Sequence, residues 1–205
     1  RPPETEMDVL CDIHDVLFDW YLADHARHLA VHGAAAKFGD GLVVFPTMTK
    51  TGKSTLMVEL ARRGTTIFCD DVLAIEPKRN LGVALGLMPR LRNPLPRRAS
   101  AAFRAFLAAR QGPIMAFFFL DRKSRGPARM ARVDPGTLLS ELIAQNIARG
   151  FPAAEVFRRF HALVKEGVCV RLSYAETGDA AAALLAEFAG KRRAQSRRAT
   201  NRASA

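Results

Sequence analysis

The segment Thr47-Met48-Thr49-Lys50-Thr51-Gly52-Lys53-Ser54-Thr55 lies between an apolar run, Leu42 to Phe45, and a stretch of helical apolar spacing, Lys53 to Arg63. A glycine, a lysine and a hydroxyl residue at a strand-to-helix turn suit a polyphosphate. Backbone N–H groups of such a loop turn inward to phosphate oxygens, and the helix that follows adds its positive dipole end. On that chemistry Thr47, Met48, Thr49, Lys50, Thr51, Gly52, Lys53, Ser54 and Thr55 are the candidate nucleotide-binding residues. Lys53 would bridge the terminal phosphates of ATP, and the Ser54 hydroxyl would hold magnesium. Thr47 stands where such loops usually begin with glycine, and a Cβ there crowds a tight turn. Lys50 occupies a second position that is often glycine.

Downstream, the apolar strand Thr66-Ile67-Phe68-Cys69 ends in Asp70-Asp71. An apolar strand that ends in aspartate can present a carboxylate to the magnesium shell. Adjacent residues on a strand point to opposite sides. One acid can therefore serve the metal while its neighbour accepts a proton from a hydroxyl. Asp70 is assigned to magnesium and Asp71 to the base, and the sequence allows the two roles to be exchanged.

These residues need elements to hold them. Apolar residues Val9, Leu10, Ile13, Val16, Leu17, Trp20 and Tyr21 recur at three-to-four spacing, which predicts one or two amphipathic helices from Val9 to about Ala30. His32 to Phe38 reads as a strand, Gly39-Asp40-Gly41 as a tight hairpin turn and Leu42 to Phe45 as its return. Lys53 to Arg63 is helical and stops at Gly64. Thr65 to Cys69, Val72 to Glu76 and Leu81 to Leu87 read as strands. An Arg- and Pro-rich loop, Pro89 to Pro96, precedes a helix at about Ala99 to Arg110. Ile114 to Asp121 and Met130 to Val133 read as strands. Pro135 opens a helix of about ten residues, because its fixed φ and missing N–H suit a first helical turn. A helix from Ala153 to Glu166, a strand from Val168 to Leu172 and a helix from Gly178 to Phe188 follow. The alternation gives an α/β class with a mixed sheet and flanking helices. The expected division is an N-terminal helical segment over 1–28, a P-loop kinase-like domain over 29–190 and a basic disordered tail over 191–205.

Composition narrows the partners. The chain of 205 residues carries a net charge of +11. Fourteen of its positive charges lie in two acid-free stretches, Pro77 to Leu120 and the tail after Gly190, which leaves the remainder at −3. A body of that balance argues against a general nucleic-acid surface, although the tail alone could touch an acidic polymer. No apolar run reaches the ~18 residues of a membrane span. Cys11, Cys69 and Cys169 are odd in number and scattered, which fits a reducing cytoplasm better than a disulfide framework. His25, His28 and His32 would share a metal only if one helix ran through all three, and His32 reads as strand. The start at Arg-Pro-Pro-Glu reads as that of a trimmed or internal fragment.

The order His32-Gly33-Ala34, Gly39-Asp40-Gly41, strand, Gly52-Lys53-Ser54-Thr55, helix, Arg63-Gly64, strand, Asp70-Asp71 resembles the catalytic domain of the HPr kinase/phosphorylase family and its HPr-kinase-related relatives. The likeness covers about residues 29–77 and continues through the strand to Asp121, the helix at Pro135 and the strand at Val168. It implies a P-loop fold similar to that of phosphoenolpyruvate carboxykinase, with magnesium-dependent transfer of the ATP γ-phosphate to a serine hydroxyl. It also implies a catalytic place for His32, which by residue type alone is an ordinary strand histidine, and assembly of the chain with copies of itself. The family carries a glutamate and a glycine-rich signature some twenty-five residues after the acid pair. Here that region runs Leu87-Met88-Pro89-Arg90-Leu91-Arg92, which points to an acceptor other than HPr. Arg90 and Arg92 are candidate contacts to an anionic substrate or to phosphate.

The expectation is therefore an ATP- and magnesium-dependent kinase of a hydroxyl, most simply a serine, on a protein or small molecule. The catalytic set is Asp71, Lys53 and His32, with Ser54 and Asp70 on the metal. The alternative is a nucleotide-binding regulatory module without turnover, to which Thr47, Lys50 and the missing glutamate point.

Overall fold

The computed structural model describes residues 6–25, 27–46, 51–84, 110–148 and 150–189. Chain order runs α1 (Glu6–Asp24), β1 (Leu29–His32), β2 (Ala34–Phe38), β3 (Gly41–Phe45), α2 (Lys53–Arg62), β4 (Thr66–Cys69), β5 (Val72–Glu76), β6 (Leu81–Ala84) and β7 (Arg110–Arg122). It continues with β8 (Arg129–Arg132), α3 (Pro135–Ala144), α4 (Ala153–Glu166) and β9 (Val168–Tyr174). A last helix, α5, spans 177–189. The class is α/β with a mixed sheet.

One strand organises the sheet. β7 runs for 13 residues. Its first four pair antiparallel with β6, from Arg110 opposite Ala84 to Pro113 opposite Leu81. From Ile114 onward it pairs in parallel with β3, and from Ala116 onward in parallel with β9. β7 thus joins two sub-sheets, an antiparallel one of β1, β5 and β6 and a mixed one of β4, β2, β3, β9 and β8. Its apolar run explains why it can sit centrally. Alternate side chains leave opposite faces of a strand, so Phe118 and Leu120 enter a core with α2 and α5, and Phe117 and Phe119 enter one with α3 and α4. A strand buried on both faces needs such a continuous apolar stretch.

Several boundaries differ from the sequence reading. The first helix ends at Asp24, and Leu29 and Ala30 are already strand. His32 closes β1 instead of opening the next strand, because the chain breaks at Gly33. A Cβ on Gly33 would stand 3.0 Å from the Phe45 carbonyl oxygen and 3.2 Å from Pro46 Cα, so a side chain there would press on the backbone of the neighbouring strand end. β7 begins at Arg110, where the sequence predicted the end of a helix; Arg, Gln, Gly and Pro carry no strand signal, and the pairing with β6 supplies the order. The apolar stripe of α1 is largely uncovered: Phe18 is buried, while Val9, Ile13, Val16, Leu17 and Trp20 are exposed. His25 stacks with both Tyr21 and His28, and the Tyr21 hydroxyl meets His28 Nδ1 at 2.9 Å. The expected helix at Ala99, Arg90, Arg92 and the tail over 191–205 lie outside the described residues. No described helix is long and apolar enough to cross a membrane.

Phe117 is fully buried in the strand shared by both sub-sheets. Phe117→Ala should lower unfolding free energy by about 3–5 kcal/mol, the usual range for emptying an aromatic core position. Urea denaturation followed by circular dichroism measures it, and a loss under about 1 kcal/mol would show that β7 does not organise the core as described.

Candidate functional site

The candidate residues meet where the two sub-sheets part. Gly33 separates β1 from β2 and Asp71 separates β4 from β5, so the chain changes sub-sheet at both positions. The two crossing points hold each other, with the Gly33 N–H donating to the Asp71 carbonyl oxygen at 2.8 Å. Asp71 has φ +86°, a left-handed conformation that side-chain-bearing residues rarely adopt. Such strain persists where the surroundings over-determine it, and it clusters at functional sites. It also corrects the sequence argument: strand alternation does not separate Asp70 from Asp71, because β4 has already ended and a reversal of the backbone does so.

Register brings His32 to the pair. His32 is opposite Val72, the residue after Asp71. Its Nε2 lies 3.4 Å from Asp71 Oδ1, with both side chains partly exposed. The His32 N–H donates to the Gln145 carbonyl oxygen at 2.8 Å, just beyond the end of α3. Gln145 is buried, and nothing in its sequence context marks it as a support for His32.

α2 supplies the other half. Its N-cap, Gly52, has φ +91° and ψ 14°, makes no side-chain cap and is followed by no acid in the first turn. The opening N–H groups of a helix lack intrahelical partners, so this uncapped end, with Lys53 and Ser54 as its first two residues, suits an anion. Gly64, with φ +84°, ends the helix as expected. Thr51, Gly52, Lys53, Ser54 and Thr55 take these positions, while Thr47, Met48, Thr49 and Lys50 lie outside the described residues.

Asp70 is the unusual group. It is 3% exposed, and neither side-chain oxygen makes a hydrogen bond of full geometry. Burial lifts its pKa from the ordinary 3.8 to about 6, with the Asp71 charge adding to the rise. The nearby Ser54 hydroxyl and the Lys53 ammonium act the other way, in that order of size, and favour the charged form. Lys53 is itself buried, at 6% exposure. A desolvated carboxylate beside a serine hydroxyl is a donor set suited to magnesium, a hard cation that takes oxygen ligands. Ser54 and Asp70 are the residues that could hold it.

Comparisons with known proteins add little to this geometry. No family model matches the chain, and no curated protein matches its sequence. The structure is similar to that of an Hpr(Ser) kinase/phosphatase from Coxiella burnetii, with a TM-score of 0.41 and 12% sequence identity. The match covers 82% of this chain and 98% of that one. With so distant a likeness, a functional reading has to stand on the residues just described.

Asp70 also makes a pH prediction. A carboxyl whose folded pKa lies above its unfolded value binds more protons when folded, so stability falls as pH rises between the two values. The ligand-free chain should therefore lose stability from pH 3.8 to about 6 on account of this group. The shift corresponds to a penalty on the order of 3 kcal/mol at higher pH. Asp70→Asn should remove that slope and stabilise the ligand-free protein at pH 8, read by urea melts across pH. Equal slopes for both proteins would show that Asp70 is not desolvated as described.

Proposed function

We propose that this chain is an ATP- and magnesium-dependent phosphotransferase that moves the γ-phosphoryl group to a hydroxyl. The observation that carries the proposal is the buried Asp70 carboxylate held beside Lys53 and Ser54 at the uncapped start of α2, with Asp71 and His32 adjacent. The resemblance of residues 29–77 to HPr-kinase-related sequences agrees with this reading.

In the reaction, the bond between the β,γ-bridging oxygen and the γ-phosphorus of ATP breaks, a bond from that phosphorus to the acceptor oxygen forms, and ADP leaves. The acceptor's proton goes to a carboxylate oxygen of Asp71, which is more accessible than Asp70 and so better placed to meet a substrate. His32, 3.4 Å from Asp71, orients that carboxylate and shares the charge change when the proton arrives. Lys53 neutralises phosphate charge from within a low-dielectric wall, where a cation counts for more than it does in water. Magnesium, on Ser54 and Asp70, would supply further neutralisation of the β- and γ-phosphate oxygens. Catalysis by this set is positioning and charge neutralisation, with little covalent work for the protein.

The test uses γ-labelled ATP with magnesium and a cell extract as the source of acceptors. The unmutated chain should label an acceptor. Lys53→Ala should lose nucleotide affinity and labelling together, whereas Asp71→Asn should keep ATP binding and lower labelling by about 10²-fold or more, the usual size of a general-base contribution. Tight, Lys53-dependent ATP binding without transfer would replace the kinase by a nucleotide-binding module. Absence of ATP binding would remove the proposal altogether.

A further inference from the structure

Tyr174 is the last residue of β9 and is 1% exposed, packed in the core between the sheet and α2. Its hydroxyl donates to the Thr51 carbonyl oxygen at 2.9 Å, across 123 positions of sequence. The same hydroxyl oxygen would stand 2.8 Å from a Cβ on Gly52. A buried phenol thus presses against the last two residues before α2, from the side of the core.

That contact has a consequence for peptide orientation. A trans peptide unit is planar, with its C=O and N–H directed oppositely. Drawing the Thr51 oxygen toward the buried ring turns the Gly52 N–H away from the core, toward the half-exposed side where α2 begins. Rotation of this peptide by half a turn would exchange the two groups. It would then present a carbonyl dipole, negative end outward, to any anion at the helix start. Gly52, with φ +91°, is free to make such a rotation because glycine enters left-handed and mirror-β regions readily. Something must restrain it if the loop is to arrive at its ligand already formed. Burial raises the Tyr174 pKa, against a smaller opposing effect of Arg122, so the hydroxyl keeps its proton and remains a donor throughout the working pH range.

We propose that Tyr174 is the positioning residue of the phosphate loop: its hydroxyl holds the Thr51–Gly52 peptide so that the Gly52 N–H faces the bound phosphate chain. The inference rests on the nucleotide-binding reading of the start of α2, residues 51–55. It adds a residue from the far end of the sequence that touches neither nucleotide nor acceptor. Tyr174 and glycine at position 52 then act as one device, since a side chain at 52 would collide with the hydroxyl that fixes the peptide.

Isothermal titration of ATP in excess magnesium tests it, with Lys53→Ala as the control for the nucleotide site. Tyr174→Phe keeps the ring that fills the core and deletes only the donor. The expected result is a Kd for ATP about fivefold weaker, the usual worth of one such hydrogen bond. Gly52→Ala is then made in both backgrounds. Removing the hydroxyl relieves its collision, so Gly52→Ala should cost less ATP affinity in the Tyr174→Phe background than in the unmutated one. A tyrosine with a merely structural role would lower the melting temperature and leave the ATP Kd unchanged in titrations well below it. Unchanged affinity on Tyr174→Phe, or an equal cost of Gly52→Ala in both backgrounds, overturns the inference while leaving the nucleotide site intact. If the unmutated chain binds no ATP, the nucleotide reading fails and the inference falls with it.

Discussion

Asp70 is a carboxylate withdrawn almost completely from water, and the rest of the site follows from what it takes to keep it there. A lone buried charge is costly unless it is paired, ligated or protonated. Here a lysine and a serine hydroxyl stand close by, which requires the first turn of α2 to be packed against the end of β4. That packing rests on Leu56, Met57 and Leu60, all fully buried against the mixed sub-sheet. The cost is left partly uncompensated, as the raised pKa shows. An arrangement that destabilises the empty protein is suited to bind a cation, because ligation offsets the part of the desolvation cost that Ser54 and Lys53 leave.

The fork between the sub-sheets sets the second half of the arrangement. Gly33 and Asp71 are the two places where the chain crosses, and they are tied to each other by a backbone hydrogen bond. The fork leaves His32 at the end of one strand and Asp71 at a strained turn, side by side. It also separates two adjacent acids into different surroundings, one desolvated and one partly exposed. Two carboxylates one residue apart can in this way serve different chemistry.

Much of this was legible in the sequence, and the parts that were not share a cause. The strand, Gly-Lys-Ser and helix from Leu42 to Arg63 could be read because local propensity and periodicity agree there, as they do for the apolar strand before Asp70. The class of the fold followed from alternating periods. The break at Gly33 is not legible, because a glycine inside a strand pattern gives no sign of the backbone that lies close to it. The strand signal of β7 starts at Ile114, four residues after the strand itself, since Arg110 to Pro113 owe their extended form to β6 rather than to their own preferences. In α1 the stripe from Val9 to Trp20 revealed a helix but could not reveal whether anything covers it. Tyr174 lies two residues beyond the apolar strand signal that ends at Leu172, and its partner is far away in sequence. Spacing reports what a segment can do alone; which distant backbone it meets is decided by packing.

The proposed function requires Ser54 and Asp70 to hold a divalent cation together with ATP. Manganese can replace magnesium as a hard, oxygen-seeking ion and is visible by electron paramagnetic resonance. Titrating manganese into the protein with ATP should give a bound signal that requires both components, shows coupling to phosphorus and is weakened about tenfold or more in Ser54→Ala. A signal equal in the unmutated and Ser54→Ala proteins, or no protein-dependent signal when ATP is present, would show that Ser54 does not hold the ion.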